Sequence, residues 1–231
     1  MNIRVDRVTK QYKNKIAVDR VSFELKEGVT GLLGANGAGK TTLMRMMSGI
    51  LEPTGGEIDA DGIQVTSEQY RAMLGYLPQA FGYYPEFTAR KFMMYMSALK
   101  GLSKSHARRK TEELLELVGL EAVADKKIGT FSGGMKQRVG IAQTLINNPK
   151  ILILDEPTAG LDPGERARFR SMIADIGKDN IVLFSTHIVS DLEHIAGNVL
   201  IMKEASLVYD GSWDNQNGNL EQFYIKEMET V

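Results

Sequence analysis

One nine-residue stretch, Gly34 to Thr42 (GANGAGKTT), limits what the rest of the chain can be. An apolar run, Val29 to Leu33, leads into it. An apolar-rich helix candidate, Leu43 to Ser48, leads out and stops at Gly49. A strand, a glycine loop and a helix, in that order, turn the pattern G-x-x-x-x-G-K-[ST] into a phosphate site. The glycines let backbone N–H groups face inward onto phosphate oxygens. The following helix aims its positive end at the same anion. Lys40 adds a mobile cation for the β- and γ-phosphates, and Thr41 offers a hydroxyl to Mg²⁺. A bare glycine-rich turn with a surface lysine is the competing reading, and the flanking strand and helix weigh against it.

The chain has 231 residues, 43% of them hydrophobic, which suits one large domain or a domain with a subdomain. Its formal net charge is −1, so no basic excess marks a nucleic-acid surface and no nucleic-acid partner is expected. The absence of cysteine excludes disulfides, thiolate metal sites and cysteine nucleophiles. The N-terminus lacks an apolar signal core, and no apolar run approaches a membrane span. A soluble, cytosolic chain is expected, tied to a membrane only through a partner.

Ile3 to Val8 and Val21 to Leu25 alternate apolar and charged residues, the pattern of half-exposed antiparallel strands. Tyr12 lies in the polar loop expected between them, where it could pack locally or stack on a base. Gly55-Gly56 and Asp61-Gly62 bracket Glu57 to Val65 as a short hairpin region. Leu74 to Gln79 is a strand ended by Pro78, so Gln79 falls at a strand end. From Pro85 to Asn147 the pattern is helical. Thr88 caps one helix, and Ser103 or Ser105 opens another that ends at Gly119. The Met-rich run Phe92 to Met96 suits core filling or an adaptable partner surface. Ile151 to Leu154 and Ile181 to Phe184 are solid apolar strands, each preceded by a helix candidate, as in a parallel sheet covered on both faces. Val199 to Met202 and Ser206 to Tyr209 form a closing hairpin, and Asn219 to Glu229 a short amphipathic helix.

Asp155 and Glu156 end a buried strand. The first carboxylate can hold Mg²⁺, directly or through water, and the second can accept a proton from an attacking water. Ser132 is a good N-cap, and Gly133 and Gly134 leave amides bare, so this helix start is a second anion site or an ordinary cap. A symmetric dimer would let two such sites clamp one triphosphate between subunits. His187 also ends an apolar strand, where it is either structural or within reach of a γ-phosphate. His106 and His194 read as surface or packing residues.

Together these residues closely resemble the nucleotide-binding subunit of ATP-binding cassette (ABC) transporters, over about Ile3 to Gly211. The resemblance rests on six ordered motifs. They are the Walker A loop Gly34 to Thr42, the Q-loop at Gln79, the signature Phe131 to Met135 with Lys136 to Arg138, the Walker B strand Ile151 to Glu156, the D-loop Ala159 to Asp162 and the H-loop His187. It implies an α/β fold: a RecA-like, mainly parallel sheet core, a small antiparallel β subdomain and an inserted α-helical subdomain. The expected division is residues 1–84 and 148–211 for the core, 85–147 for the helices and 212–231 for a short tail. It also implies that Tyr12 stacks on adenine and that Asn36, Gly37, Ala38, Gly39, Lys40, Thr41 and Thr42 wrap the phosphates of ATP. Thr41, Gln79 and Asp155 would surround Mg²⁺. Glu156 would be the catalytic base, aided by Gln79 and His187. Ser132, Gly133 and Gly134 would bind the partner subunit's ATP, with Asp162 at the dimer seam.

The implied partners are transmembrane permease subunits and a second nucleotide-binding subunit, and the implied location is the inner face of the cell membrane. Met135 replaces the usual signature Gln and is similar to the branch serving drug, antibiotic and polysaccharide exporters. The ending Asn219 to Phe223 is similar to that branch's tail, and a regulatory C-terminal domain is not expected. Phe81, Tyr83 and Tyr84, just past the Q-loop, are expected either in a docking cleft for the permease or in internal packing. A soluble ABC ATPase acting on ribosomes or nucleic acid is the alternative, and no basic stripe, zinc module or coiled coil supports it.

Overall fold

The computed structural model describes residues 1–214 and 218–229; the remaining positions of the expected 212–231 tail lie outside the described residues. A hairpin of β1 (Ile3–Tyr12) and β2 (Lys15–Leu25) opens the chain, followed by β3 (Gly28–Gly34) and α1 (Lys40–Met47). Next come β4 (Gly55–Ala60), β5 (Ile63–Gln64), α2 (Glu68–Met73) and β6 (Leu74–Leu77). Three helices follow: α3 (Ala89–Leu99), α4 (Lys104–Leu117) and α5 (Gly133–Thr144). The last part runs through β7 (Ile151–Asp155), α6 (Pro163–Gly177), β8 (Ile181–Ser185), β9 (Asn198–Lys203), β10 (Ser206–Ser212) and α7 (Leu220–Glu229).

Two sheets result. A six-stranded sheet has the order β10-β9-β3-β8-β7-β6, parallel except for the edge strand β10, and a four-stranded antiparallel sheet has the order β2-β1-β4-β5. This is the expected mainly parallel α/β core with a small antiparallel subdomain. The helical stretch is inserted between β6 and β7, which are hydrogen-bonded neighbours.

The period-two rule explains the layering. Side chains alternate faces along a strand. In β7 and β8, Leu152, Leu154, Val182 and Phe184 point into one core, shared with Val139 and Ile141 of α5 and Phe169 and Ile173 of α6. Ile151, Ile153, Ile181 and Leu183 point into the other, shared with Leu43 and Met47 of α1 and with Ile3 and Val5 of β1. Every residue of β7 and β8 is buried, which is why these strands read as solid apolar runs. The parallel register of β7 and β8 places Asp155 opposite Ser185 at the end of these strands.

One detail differs from the sequence expectation. The first hairpin is longer than its apolar alternation, because polar residues continue the pairing to Tyr12 and Lys15. Tyr12 therefore closes a strand at the hairpin tip and is not in a loop. Helix α5 starts at Gly133, as the expected Ser132 cap requires: Ser132 accepts the Met135 N–H (3.1 Å). The chain after β10 is tied down: Trp213 and Leu220 are buried, and Phe223 packs edge-on against Tyr209 at 4.8 Å. Thr88 and Ser103 cap α3 and α4 as expected, and of the Met-rich run Phe92 and Met93 fill the core.

Phe184 is fully buried and meets Phe169 edge-to-face at 5.6 Å, joining β8 to α6. Phe184→Ala is expected to lower stability by about 3–5 kcal/mol. Urea denaturation checks this: the midpoint falls with the slope unchanged.

Candidate functional site

The phosphate loop leaves the end of β3 and feeds α1, as the sequence requires. Ala35, Asn36 and Gly37 are exposed, whereas Ala38 is buried. The first intrahelical bond runs from the Leu43 N–H to the Gly39 carbonyl (2.9 Å), so the amides of Lys40, Thr41 and Thr42 have no partner in the helix. No side chain caps this helix start and no acid sits in its first turn. Bare amides and an uncompensated positive end suit an anion.

The loop is pressed from behind. Gly39 has φ +108°, and a Cβ there would lie 2.3 Å from the Ala17 carbonyl oxygen of β2. Only glycine fits that position. The Ala205 N–H, in the β9–β10 turn, donates to the Ala38 carbonyl (3.1 Å). The antiparallel sheet and the sheet-closing hairpin thus hold the loop against β3. The β1–β2 hairpin carries exposed Tyr12 at its tip, with the Lys10 ammonium 5.4 Å from the Tyr12 ring.

Lys40, Asp155, Glu156 and His187 converge at the C-terminal ends of β7 and β8. The Lys40 ammonium donates to the Gly34 carbonyl (2.6 Å) and stands 3.9 Å from Glu156 Oε1. Burial pushes Lys40 below the ordinary lysine value, and the carboxylates Glu156 and Asp155 pull the other way. Glu156 Oε2 lies 2.7 Å from His187 Nδ1. Glu156 has φ +51°, a left-handed conformation that costs a non-glycine residue of order 1 kcal/mol or more. Such strain persists where surrounding bonds over-determine it. Here the Glu156 N–H is held by both the Ser185 carbonyl (3.2 Å) and the Ser185 hydroxyl oxygen (3.0 Å).

Asp155 has no solvent exposure. Its Oδ1 accepts the Ser185 hydroxyl at 2.7 Å, but its Oδ2 is buried without a partner. A buried carboxylate oxygen left unpaired carries a desolvation cost that a cation would repay. Among the described residues no group of three or more His, Asp or Glu side chains could hold a metal by itself. One carboxylate plus a loop hydroxyl fits Mg²⁺ carried by phosphates, which keeps few protein ligands.

The remaining candidates fall into two places. Gln79 lies exposed, two residues beyond β6, and no hydrogen bond ties it to the cluster among the described residues. Ser132, Gly133, Gly134 and Asp162 form a second group. Asp162 caps α6 by accepting the Glu165 N–H (2.8 Å), and Glu165 pairs with Arg138 (3.2 Å). The Glu165 carboxylate rests against Gly134, where a Cβ would lie 2.2 Å from Oε2 and push that side chain aside. No hydrogen bond or ion pair joins this group to the phosphate loop among the described residues. His106 and His194 are exposed, as expected.

Two buried residues that sequence reasoning missed complete the site. Ser185 serves both Asp155 and Glu156; its signal was its place at the end of the second solid apolar strand. Asp191, fully buried, accepts from the Thr158 hydroxyl (2.7 Å) and pairs with Arg170 (3.3 Å), joining the segment after Glu156 to the segment after His187. Nothing local in the sequence marks it.

A phosphate loop on β3, with acidic residues ending the parallel strand β7 on the far side of β8, defines a phosphate-loop nucleoside triphosphatase of the α/β class. Comparison with known proteins narrows this. Residues 18–159 match the family model described as ABC transporter, and the chain belongs to that family. It is 42% identical to the uncharacterized ABC transporter ATP-binding protein YxlF of Bacillus subtilis over 95% of this chain and 72% of that one. It is 38% identical to the bacitracin transport ATP-binding protein BcrA of Bacillus licheniformis, over 92% and 70% of the two chains. It is also 38% identical to the Nod factor export ATP-binding protein I of Burkholderia thailandensis, over 91% and 70%. Among solved structures, an ATP-binding subunit of an ABC transporter superposes with a TM-score of 0.88 at 26% identity, covering 99% of this chain and 100% of that one. A dimeric ATP-binding cassette in a post-hydrolysis state with ADP and Pi gives 0.84 at 25% identity, over 91% and 98%. The chain is accordingly an ATP-hydrolysing transporter subunit.

Ser185→Ala removes a donor from one buried carboxylate and an acceptor from the strained Glu156 amide. It is expected to cost about 1–3 kcal/mol. Thermal unfolding checks the loss; an unchanged midpoint would show that the Ser185 bonds contribute nothing.

Proposed function

We propose that this subunit powers an exporter by closing on ATP as a dimer and opening after hydrolysis, while docked on transmembrane permease subunits at the inner face of the membrane. Export rests on relatives named for bacitracin transport, Nod factor export and linearmycin resistance. Dimerisation rests on the dimeric cassette of the same fold. Among the described residues no helix is long and apolar enough to cross a membrane, so membrane attachment would come through the permease.

The observation that carries the catalytic reading is the buried cluster of Lys40, Asp155 and Glu156 with His187 at one sheet edge. In our assignment Tyr12 stacks on the base. Asn36 to Thr42 cradle the phosphates through bare amides, and Lys40 exchanges the Gly34 carbonyl for phosphate oxygens. Thr41, Asp155 and Gln79 hold Mg²⁺, which supplies charge neutralisation on the phosphates. Glu156 accepts a proton from water as the water oxygen bonds to the γ-phosphorus. The bond from that phosphorus to the bridging oxygen breaks, leaving ADP and phosphate. His187, already bonded to Glu156, positions that carboxylate and reaches the γ-phosphate. Ser132, Gly133 and Gly134 meet the partner's ATP, beside Asp162 at the seam. Residues 1–84 with 148–211 act as the catalytic core, and 85–147 as a helical arm.

Glu156→Gln keeps the shape but not the base. ATP hydrolysis should fall by about 10²-fold or more, and Mg-ATP should trap a dimer visible by light scattering. Native-rate phosphate release from this variant would sink the assignment.

The aromatics after Gln79 divide between the two expected roles. Phe81 and Tyr83 pack inward, 5.6 Å apart, with Lys136 over the Tyr83 ring. Tyr84 is exposed and clusters with Phe87 (5.0 Å) and Tyr95 (5.7 Å) on the outer surface of α3. We assign permease docking to this outer cluster. Tyr84→Glu should weaken co-purification with the permease from gentle detergent and leave ATP binding unchanged. Reduced ATP binding with docking intact would refute the assignment.

A further inference from the structure

Away from the nucleotide site, a cleft of about 510 Å³ opens between the start of α4, the end of α3 and the loop after α5. Lys100, His106, Arg109 and Lys110 line it, with Glu113 and Asn147. Its charges do not balance. Lys110 is matched by Glu113 (2.6 Å), but no ion pair or side-chain hydrogen bond engages Lys100, Arg109 or the His106 ring among the described residues.

This arrangement is unfavourable for the chain alone. Lys100 is partly buried, and burial pushes it below the ordinary lysine value with no nearby carboxylate to oppose the shift. The end of α3 gives it partial negative charge, since Lys100 is that helix's C-cap, but a helix end is a weak substitute for a counter-ion. Arg109 lacks even that. Near the positive end of α4, where acids are favoured, the sequence places Lys104, Arg108, Arg109 and Lys110, and no acidic residue occupies the first turn. An ordinary solvated face would scatter these cations or pair them.

We propose that this cleft binds a phosphate-bearing anion, separately from the phosphate loop. The unmatched Arg109 guanidinium and Lys100 ammonium around one concavity suit the charge and the several acceptor oxygens of a phosphomonoester or pyrophosphate. Two sources share that chemistry: a phosphorylated solute and the headgroup of an anionic phospholipid. The proposal is independent of the catalytic reading, because no residue of the cleft belongs to the ATP site.

The test uses the full chain with its phosphate loop saturated by ATP in the absence of divalent cations. Calorimetry then measures pyrophosphate binding, and sedimentation measures binding to phosphatidic acid vesicles against phosphatidylcholine vesicles. The expected result is binding to pyrophosphate, to phosphatidic acid, or to both, weakened about tenfold or more in Lys100→Ser/Arg109→Ser with ATP affinity unchanged. Pyrophosphate binding alone identifies a solute, and additional phosphatidic acid binding identifies a headgroup. Arg108→Ser, a basic residue outside the cleft, serves as the control and should bind normally. The proposal is overturned if neither probe binds, if the double variant binds like the native chain, or if Arg108→Ser loses as much.

Discussion

The structure depends on keeping three charges dry at one edge of a sheet. Lys40, Asp155 and Glu156 are each almost wholly buried. Removing such groups from water costs several kcal/mol apiece unless they are paired and hydrogen-bonded. The parallel register of β7 and β8 meets that cost. It sets Asp155 opposite Ser185, so one hydroxyl donates to Asp155 and accepts from the Glu156 amide. Glu156 divides its oxygens between Lys40 and His187. What stays unpaired, Asp155 Oδ2 and the first amides of α1, is of opposite sign. A cation and an anion are therefore wanted side by side, which is what a metal–triphosphate provides.

The apolar sheet makes this possible. Because β7 and β8 are buried on both faces, polar groups can emerge only where the strands end. Asp155, Glu156, Ser185 and His187 accordingly sit at C-terminal strand ends or in the turn just after them. The second sheet then acts on the site through backbone contact: Ala17 of β2 presses on Gly39, and the Asp19 N–H donates to the carbonyl of Ala205 (2.8 Å), the residue whose own N–H holds Ala38. A strand that reads as a half-exposed edge is thus coupled to the phosphate loop.

Features carried by local chemistry were legible in the sequence. Solid apolar runs gave β7 and β8, serine and threonine caps gave the starts of α3, α4 and α5, and the glycine pattern gave the phosphate loop. Features carried by pairing were not. Ser185 acts through a neighbour thirty residues away, fixed only by strand register. Asp191 acts through Thr158 and Arg170 on two other segments. Tyr12 reads as a loop residue because hairpin pairing continues through polar side chains that carry no apolar alternation. The three aromatics after Gln79 looked alike as residues, and only packing separates inward Phe81 and Tyr83 from exposed Tyr84. Gln79 itself makes no hydrogen bond to the cluster among the described residues, since β6 ends two residues earlier and its side chain is exposed.

The two helix starts with bare amides are built differently, and the difference bears on how a dimer would work. The start of α1 is uncapped and faces its own cluster. The start of α5 is already capped by Ser132, so only the outward amides of its first turn remain for a ligand. It is also fastened to its surroundings. Arg138 holds the Val118 and Gly119 carbonyls at the end of α4 (2.9 and 3.0 Å) while pairing with Glu165 of α6. Glu165 in turn lies against Gly134 and within the first turn that Asp162 caps. Any ligand that pulls on the α5 start therefore pulls on α4 and on the Asp162 turn as well. Because α6 follows Glu156 in the chain, that pull reaches the catalytic strand through one short segment, which Thr158 ties to Asp191. Under the dimer we propose, ATP bound by one subunit would in this way be sensed at the other subunit's own Glu156.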